Sequence, residues 1–76
     1  MGKFERITWS PNQMNGQPCI RGMRLTVRRV VEAVVTYSYR EDLFRNYPEL
    51  DPEDVRQALA FAAANLEDNA AETSTA

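Results

Sequence analysis

A single cysteine, Cys19, and no histidine in 76 residues leave few ways to hold a fold together. An intramolecular disulfide, a Cys/His zinc site and any imidazole-based catalytic arrangement are excluded at once. A domain this short buries only roughly 60% of the surface its unfolded chain exposes, and small folds commonly lean on a staple or a second copy. With the staples gone, packed helices and dimerisation remain. No apolar run reaches the ~18 residues of a membrane span, and the start, Met1-Gly2-Lys3-Phe4-Glu5-Arg6, lacks the apolar stretch of a secretion signal. The lone thiol suits a reducing cytoplasm. These features predict a small cytoplasmic binding domain and no enzyme: no cofactor, no metal, no membrane contact, no small-molecule substrate.

The formal net charge of −2 conceals an asymmetry. Residues 1–40 carry seven bases against two acids, net +5, whereas residues 41–76 carry two bases against nine acids, net −7. Eight of the nine bases are arginine, the residue suited to bidentate contact with phosphate or carboxylate. Arg21, Arg24, Arg28 and Arg29 fall close together. Either they pair with the acidic half, or they form a patch facing nucleic acid or an acidic partner.

Phe4 to Trp9 reads as an edge strand or arm, followed by turn signals at Ser10-Pro11-Asn12 and Asn15-Gly16-Gln17-Pro18. Gly22 marks a tight turn between two short extended pieces, with Met23, Leu25 and Val27 alternating against Arg24 and Thr26. Pieces so short need a partner strand, either the first segment or a second chain. Ile20, Met23, Leu25 and Val27 are therefore candidates for a dimer interface.

From Thr26 the period changes. Val27, Val30, Val31, Val34 and Val35 recur at helical spacing, which predicts a helix over 27–36 with Thr26 as its cap and Leu25 packed on Val30. Ser38 and Glu41 match a capping box for a second helix, about 39–47, stopped by Pro48. Asp51 caps a third helix over 52–66 with Pro52 at its first position; Val55, Ala58, Leu59, Ala62 and Leu66 form its buried stripe. Phe61 lies off that stripe and is a candidate partner contact. Residues 67–76 hold no apolar residue larger than alanine and read as a disordered acidic tail. The expected whole is mainly α: one domain over 1–66, three helices after a strand or hairpin element within 4–27.

The second and third helices have the lengths of a helix-turn-helix, whose second helix enters the major groove. Its front carries Asp51, Glu53 and Asp54, which would repel phosphates; Arg56 and Gln57 are its only base-reading side chains. Affinity for DNA would then come from Arg21, Arg24, Arg28 and Arg29. Adjacent acids such as Glu53 and Asp54 diverge around a helix and share no catalytic site, and the three glycines make no phosphate loop.

The run Asn15-Gly16-Gln17-Pro18-Cys19-Ile20-Arg21-Gly22-Met23-Arg24-Leu25-Thr26-Val27, then Tyr47-Pro48-Glu49-Leu50, Glu53-Asp54-Val55 and Ala58-Leu59-Ala60-Phe61-Ala62, resembles the bacterial domain-of-unknown-function 433 family over about residues 7–65. Met23 stands where that family usually has threonine, Gln17 where it often has lysine, and Thr36-Tyr37-Ser38 where it has a glycine before the second helix. The resemblance implies a homeodomain-like helical fold with a small strand element, usually dimeric. Some members resemble VapB-type antitoxins, which neutralise a PIN-domain ribonuclease and repress their own operon. The expectation is thus an antitoxin-like homodimer that binds double-stranded DNA and a PIN-domain toxin. The alternative is a protein-interaction module that never meets DNA.

Overall fold

The structure, a computed structural model, describes residues 4–66; the expected acidic tail lies outside them. Strand β1 (Ile7–Thr8) pairs antiparallel with β2 (Cys19–Ile20), Ile7 opposite Ile20 and Thr8 opposite Cys19. Three helices follow: α1 (Val27–Thr36), α2 (Arg40–Asn46) and α3 (Pro52–Ala64). The architecture is mainly helical with a short hairpin at the front, as the periodicities predict, and α1 packs chiefly on α3.

Helix α1 begins and ends where the valine stripe places it. Thr26 holds its first turn, the hydroxyl accepting a 3.1 Å hydrogen bond from the Arg29 N–H, and Leu25 joins Val30 in one buried cluster. Valine favours strands, but Val27, Val30 and Ala33 all reach the core, and that burial outweighs the propensity.

Two helix ends differ from expectation. Helix α2 starts at Arg40 with Tyr39 as its capping position and no side-chain cap. Ser38 and Glu41 therefore stand one residue too early for the reciprocal box. Helix α3 stops at Ala64: the Asn65 N–H bonds back to Phe61 and Ala62, and its side-chain amide donates to the Phe61 carbonyl at 2.8 Å. Leu66 consequently leaves the buried stripe and is 75% exposed. Between α1 and α2, where the resemblance implies a glycine, Tyr37 is extended, with φ −106° and ψ 106°, and its N–H bonds to the Ala33 carbonyl. That junction requires no left-handed residue.

Positive φ is confined, among the described residues, to two turns: Met14, Asn15 and Gly16, and Arg21 and Gly22. The second is the tight turn expected at Gly22. Both central residues are left-handed, and the Met23 N–H returns to the Ile20 carbonyl, the geometry of a type I′ turn. Beyond it the Ile20 N–H donates to the Leu25 carbonyl and Cys19 bridges Thr26. The Gln13 amide spans the two turns, donating to the Gly22 carbonyl at 2.8 Å.

This arrangement corrects the proposed dimer surface. Ile20, Leu25 and Val27 are buried within their own chain, and Met23 is half-buried against the same cluster. The partner strand that the short extended pieces need is β1, carried back across the Met14–Gly16 turn. The core then closes with Ile7, Ala33, Leu43, Leu50, Val55 and Ala58.

Leu43, fully buried, is the contribution of α2 to that core. Leu43→Ala should destabilise the domain by about 2–5 kcal/mol, read as a lowered urea midpoint with an unchanged slope.

Candidate functional site

The acidic front of α3 does not face solvent as an unpaired surface. It is closed by arginines from the front of the chain. Asp51 caps the helix by accepting from the Asp54 N–H at 2.8 Å, and the Asp54 carboxylate reaches back to the Asp51 N–H at 3.0 Å. That same carboxylate, with a fully buried side chain, accepts from Arg6 Nη1 at 2.7 Å and from Arg21 Nε and Nη2 at 3.0 and 2.8 Å. Arg6 also reaches Asp51 at 2.9 Å, and Arg21 donates to the Glu49 carbonyl at 2.7 Å. The two arginines belong to neighbouring backbone segments, since the Arg21 N–H donates to the Arg6 carbonyl at 2.8 Å. The hairpin is thereby clamped onto the first turn of α3.

A second chain of contacts runs beside the first. The Arg6 N–H donates to Gln57 Oε1 at 2.8 Å, Gln57 Nε2 to Glu53 at 2.7 Å, and Arg56 to Glu53 through Nε and Nη2 at 2.9 and 2.6 Å. Among the described residues no buried side-chain polar atom lacks a partner.

These contacts set the protonation behaviour. Burial pushes the Asp54 carboxyl up, but hydrogen bonds from Arg21, Arg6 and the Asp51 amide outweigh it and bring the pKa down to about 2. Glu53 is lowered to about 2 chiefly by Arg56 and then by Gln57. The guanidinium pKa values of Arg6 and Arg21 are raised, first of all by the hydrogen bonds to Asp54.

The six side chains expected on nucleic acid are therefore divided. Arg21 is spent on Asp54, because its left-handed backbone, φ +47°, turns its guanidinium inward over α3. Gln57 is buried and bonded on both sides, so it reads no base. Arg56 lies exposed but locked to Glu53. Arg24, Arg28 and Arg29 remain outside the network, around the start of α1. Arg28 and Arg29 share one acid, Glu32, at 3.2 and 3.8 Å. Among the described residues Arg24 has no carboxylate partner. It lines a shallow depression with Met14, Leu25, Thr26 and Arg29, next to a second lined by Gln17, Arg28 and Glu32.

The remaining candidates offer little chemistry. Phe61 is half-buried, edge-on to Phe4 at 5.3 Å and to Trp9 at 5.5 Å between ring centres, which gives it a place in its own chain. Cys19 is buried, its thiol 3.4 Å from the Gln17 carbonyl. Among the described residues no three Cys, Asp or Glu side chains gather as metal ligands, and no helix is long and apolar enough to cross a membrane.

Fold and site together define a small three-helix domain with a front hairpin clamped on its third helix and an arginine surface at the start of its first. The chain belongs to the family described as protein of unknown function, DUF433, whose model matches residues 7–62. It is similar to the uncharacterized protein y4eO of Sinorhizobium fredii (strain NBRC 101917 / NGR234), 36% identical over 61 residues. The match covers 80% of this chain and 28% of that relative, so the chain spans little more than a quarter of the relative's length. No solved structure matches.

Asp54→Asn should cost about 3 kcal/mol, since it leaves two arginines aimed at a lost charge, with water around both moderating the loss. Because the Asp54 pKa is depressed, its contribution is full above the ordinary carboxylate range and fades as pH falls through about 2. Urea unfolding between pH 5 and 2, values spanning that range, should show a steeper loss for the wild type than for Asp54→Asn.

Proposed function

We propose that this chain is an antitoxin-type binding domain that works as a homodimer, contacts double-stranded DNA through Arg24, Arg28 and Arg29, and occupies a PIN-domain-like ribonuclease as its protein partner. The observation that carries the DNA part is the separation of arginines into two populations. Arg6 and Arg21 are both bonded to the buried carboxylate of Asp54 in α3. Arg28 and Arg29 are 83% and 61% exposed and share one acid between them. Exposed pairs of this kind are worth about 0–1 kcal/mol, so phosphates can replace Glu32 at little cost. With Arg24 they give three bases to one acid on a single face, beside the positive end of the α1 dipole.

The contact so described is to backbone phosphate and not to bases. The Asp51 and Asp54 side of the first turn of α3, which a helix-turn-helix would present to the major groove, is held by Arg6 and Arg21, and Arg56 on its outer side is paired with Glu53. Affinity should therefore depend strongly on salt and weakly on sequence. The antitoxin part rests on the resemblance of some such chains to VapB-type antitoxins, and the lack of imidazole together with a buried thiol favours binding over catalysis. The competing reading, a protein-interaction module without DNA, draws on the exposed apolar residues Val35, Tyr39 and Leu66.

A mobility shift with a short duplex at ~50 mM salt decides between them. The wild type should bind, and Arg24→Ala/Arg28→Ala/Arg29→Ala should bind at least ~10-fold more weakly, with a salt slope flatter by about 2–3. Arg56→Ala should change little. No wild-type shift at that salt leaves the protein-interaction reading.

A further inference from the structure

We infer that the outer face of α1 is a self-association seam, in which an apolar groove at one end of the helix receives the exposed residues at the other end of the same helix in a second copy. The inference rests on the homodimer of the proposed function, not on its DNA contact, and it runs the seam along α1 and not along the hairpin strands.

The groove, about 360 Å³, lies between the start of α1 and the end of α3 and is lined by Pro18, Val27, Val31, Phe61, Ala62 and Leu66, with Arg28 on its rim. No acid among the described residues lines it. Pockets of this size lie at the small end of ligand sites and suit two or three apolar side chains. The far end of α1 has the opposite shape. Val35 is 80% exposed there, and Tyr39, just past the helix, is 68% exposed. Neither contributes to the buried core of its own chain.

Helix geometry joins the two features. At ~100° per residue, Val31, Val35, Arg28 and Glu32 fall within about 100° of the circumference of α1. The inward side is taken by Val27, Val30 and Ala33. The ten residues of α1 extend about 15 Å. Two copies laid antiparallel along this face bring each groove against the Val35 and Tyr39 of the other, with Val31 close to the two-fold axis. The charges agree with that pairing: Arg28 of one copy and Glu32 of the other lie within a turn of each other across the axis, so an exposed contact within each helix is traded for one between helices. In the dimer the phosphate contact then falls to Arg24 and Arg29, which lie outside the groove.

A second copy fits better than the other occupants. The chain beyond Leu66, residues 67–76, has no apolar residue larger than alanine with which to fill the groove. A second copy supplies both halves of the contact at once: its Val35 and Tyr39 meet the groove of the first, and its own groove receives those of the first.

Sedimentation equilibrium on the whole chain at about 50 µM tests the seam, since apparent dimer stability depends on protomer concentration. The wild type should show the dimer mass. Val35→Glu, a change on an exposed position, should give a monomer with unchanged circular dichroism and self-association weakened at least ~10-fold. In parallel, oxidised Val31→Cys should form a covalent dimer while Arg45→Cys, on the exposed side of α2, should not; Cys19, buried in the core, stays silent. A monomeric wild type overturns the seam, and so does a dimer that persists in Val35→Glu with no cross-link through Val31→Cys. The duplex mobility shift separates the two proposals: a wild-type dimer that loses mass in Val35→Glu but binds no duplex supports the seam and removes the DNA reading alone.

Discussion

The fold turns on one carboxylate. Asp54 stands in the third helical position of α3, where a free acid would interact only with the helix dipole and the capping residue. Here it is sealed from solvent and takes two guanidinium groups from segments more than thirty residues away. A buried acid without partners would be strongly disfavoured; with Arg6, Arg21 and the Asp51 amide it is fully bonded. The consequence is architectural. A two-residue strand pair is far below the size that is stable by itself, yet the hairpin has a defined place because its arginines are fastened to a helix.

The clamp also accounts for the backbone at Arg21. A left-handed arginine costs about 1 kcal/mol or more relative to ordinary backbone, and a glycine there would turn as easily. Only a long base turned inward can reach both Asp54 and the Glu49 carbonyl. Local strain at the turn and the long-range ion pair are two sides of one contact. They belong together with the type I′ geometry that ends β2.

Much of the local structure could be read from residue order. The 3.6-residue period of the valines placed α1 correctly at both ends, Thr26 and Asp51 were recognisable caps, and Gly22 marked its turn. The errors at the dimer surface and the arginine patch share a cause, which is that each depends on contacts between distant segments. Ile20, Leu25 and Val27 looked short of a strand partner because nothing local says that β1 returns to them. Arg21 and Gln57 carry the chemistry of nucleic-acid contact, and only the path of the hairpin over α3 shows that both are occupied. The start of α2 failed for a smaller reason. Ser38 and Glu41 have the letters of a capping box, but the helix begins at Arg40 with Tyr39 in the capping position, so the motif falls one residue out of register. The spacing of Asp51 and Asp54 was itself a usable sign, since an acid three residues after an acidic cap commonly turns back on the backbone. Their arginine partners had no such sign.

The division of arginines into a fastened pair and a surface trio has a consequence for how such a domain can diversify. Arg6 and Arg21 are tied to the integrity of the fold, so drift at those positions is punished by unfolding. Arg24, Arg28 and Arg29 hold up nothing in the interior. Replacing this trio would change the charge of the surface at the start of α1 and leave the interior as it is.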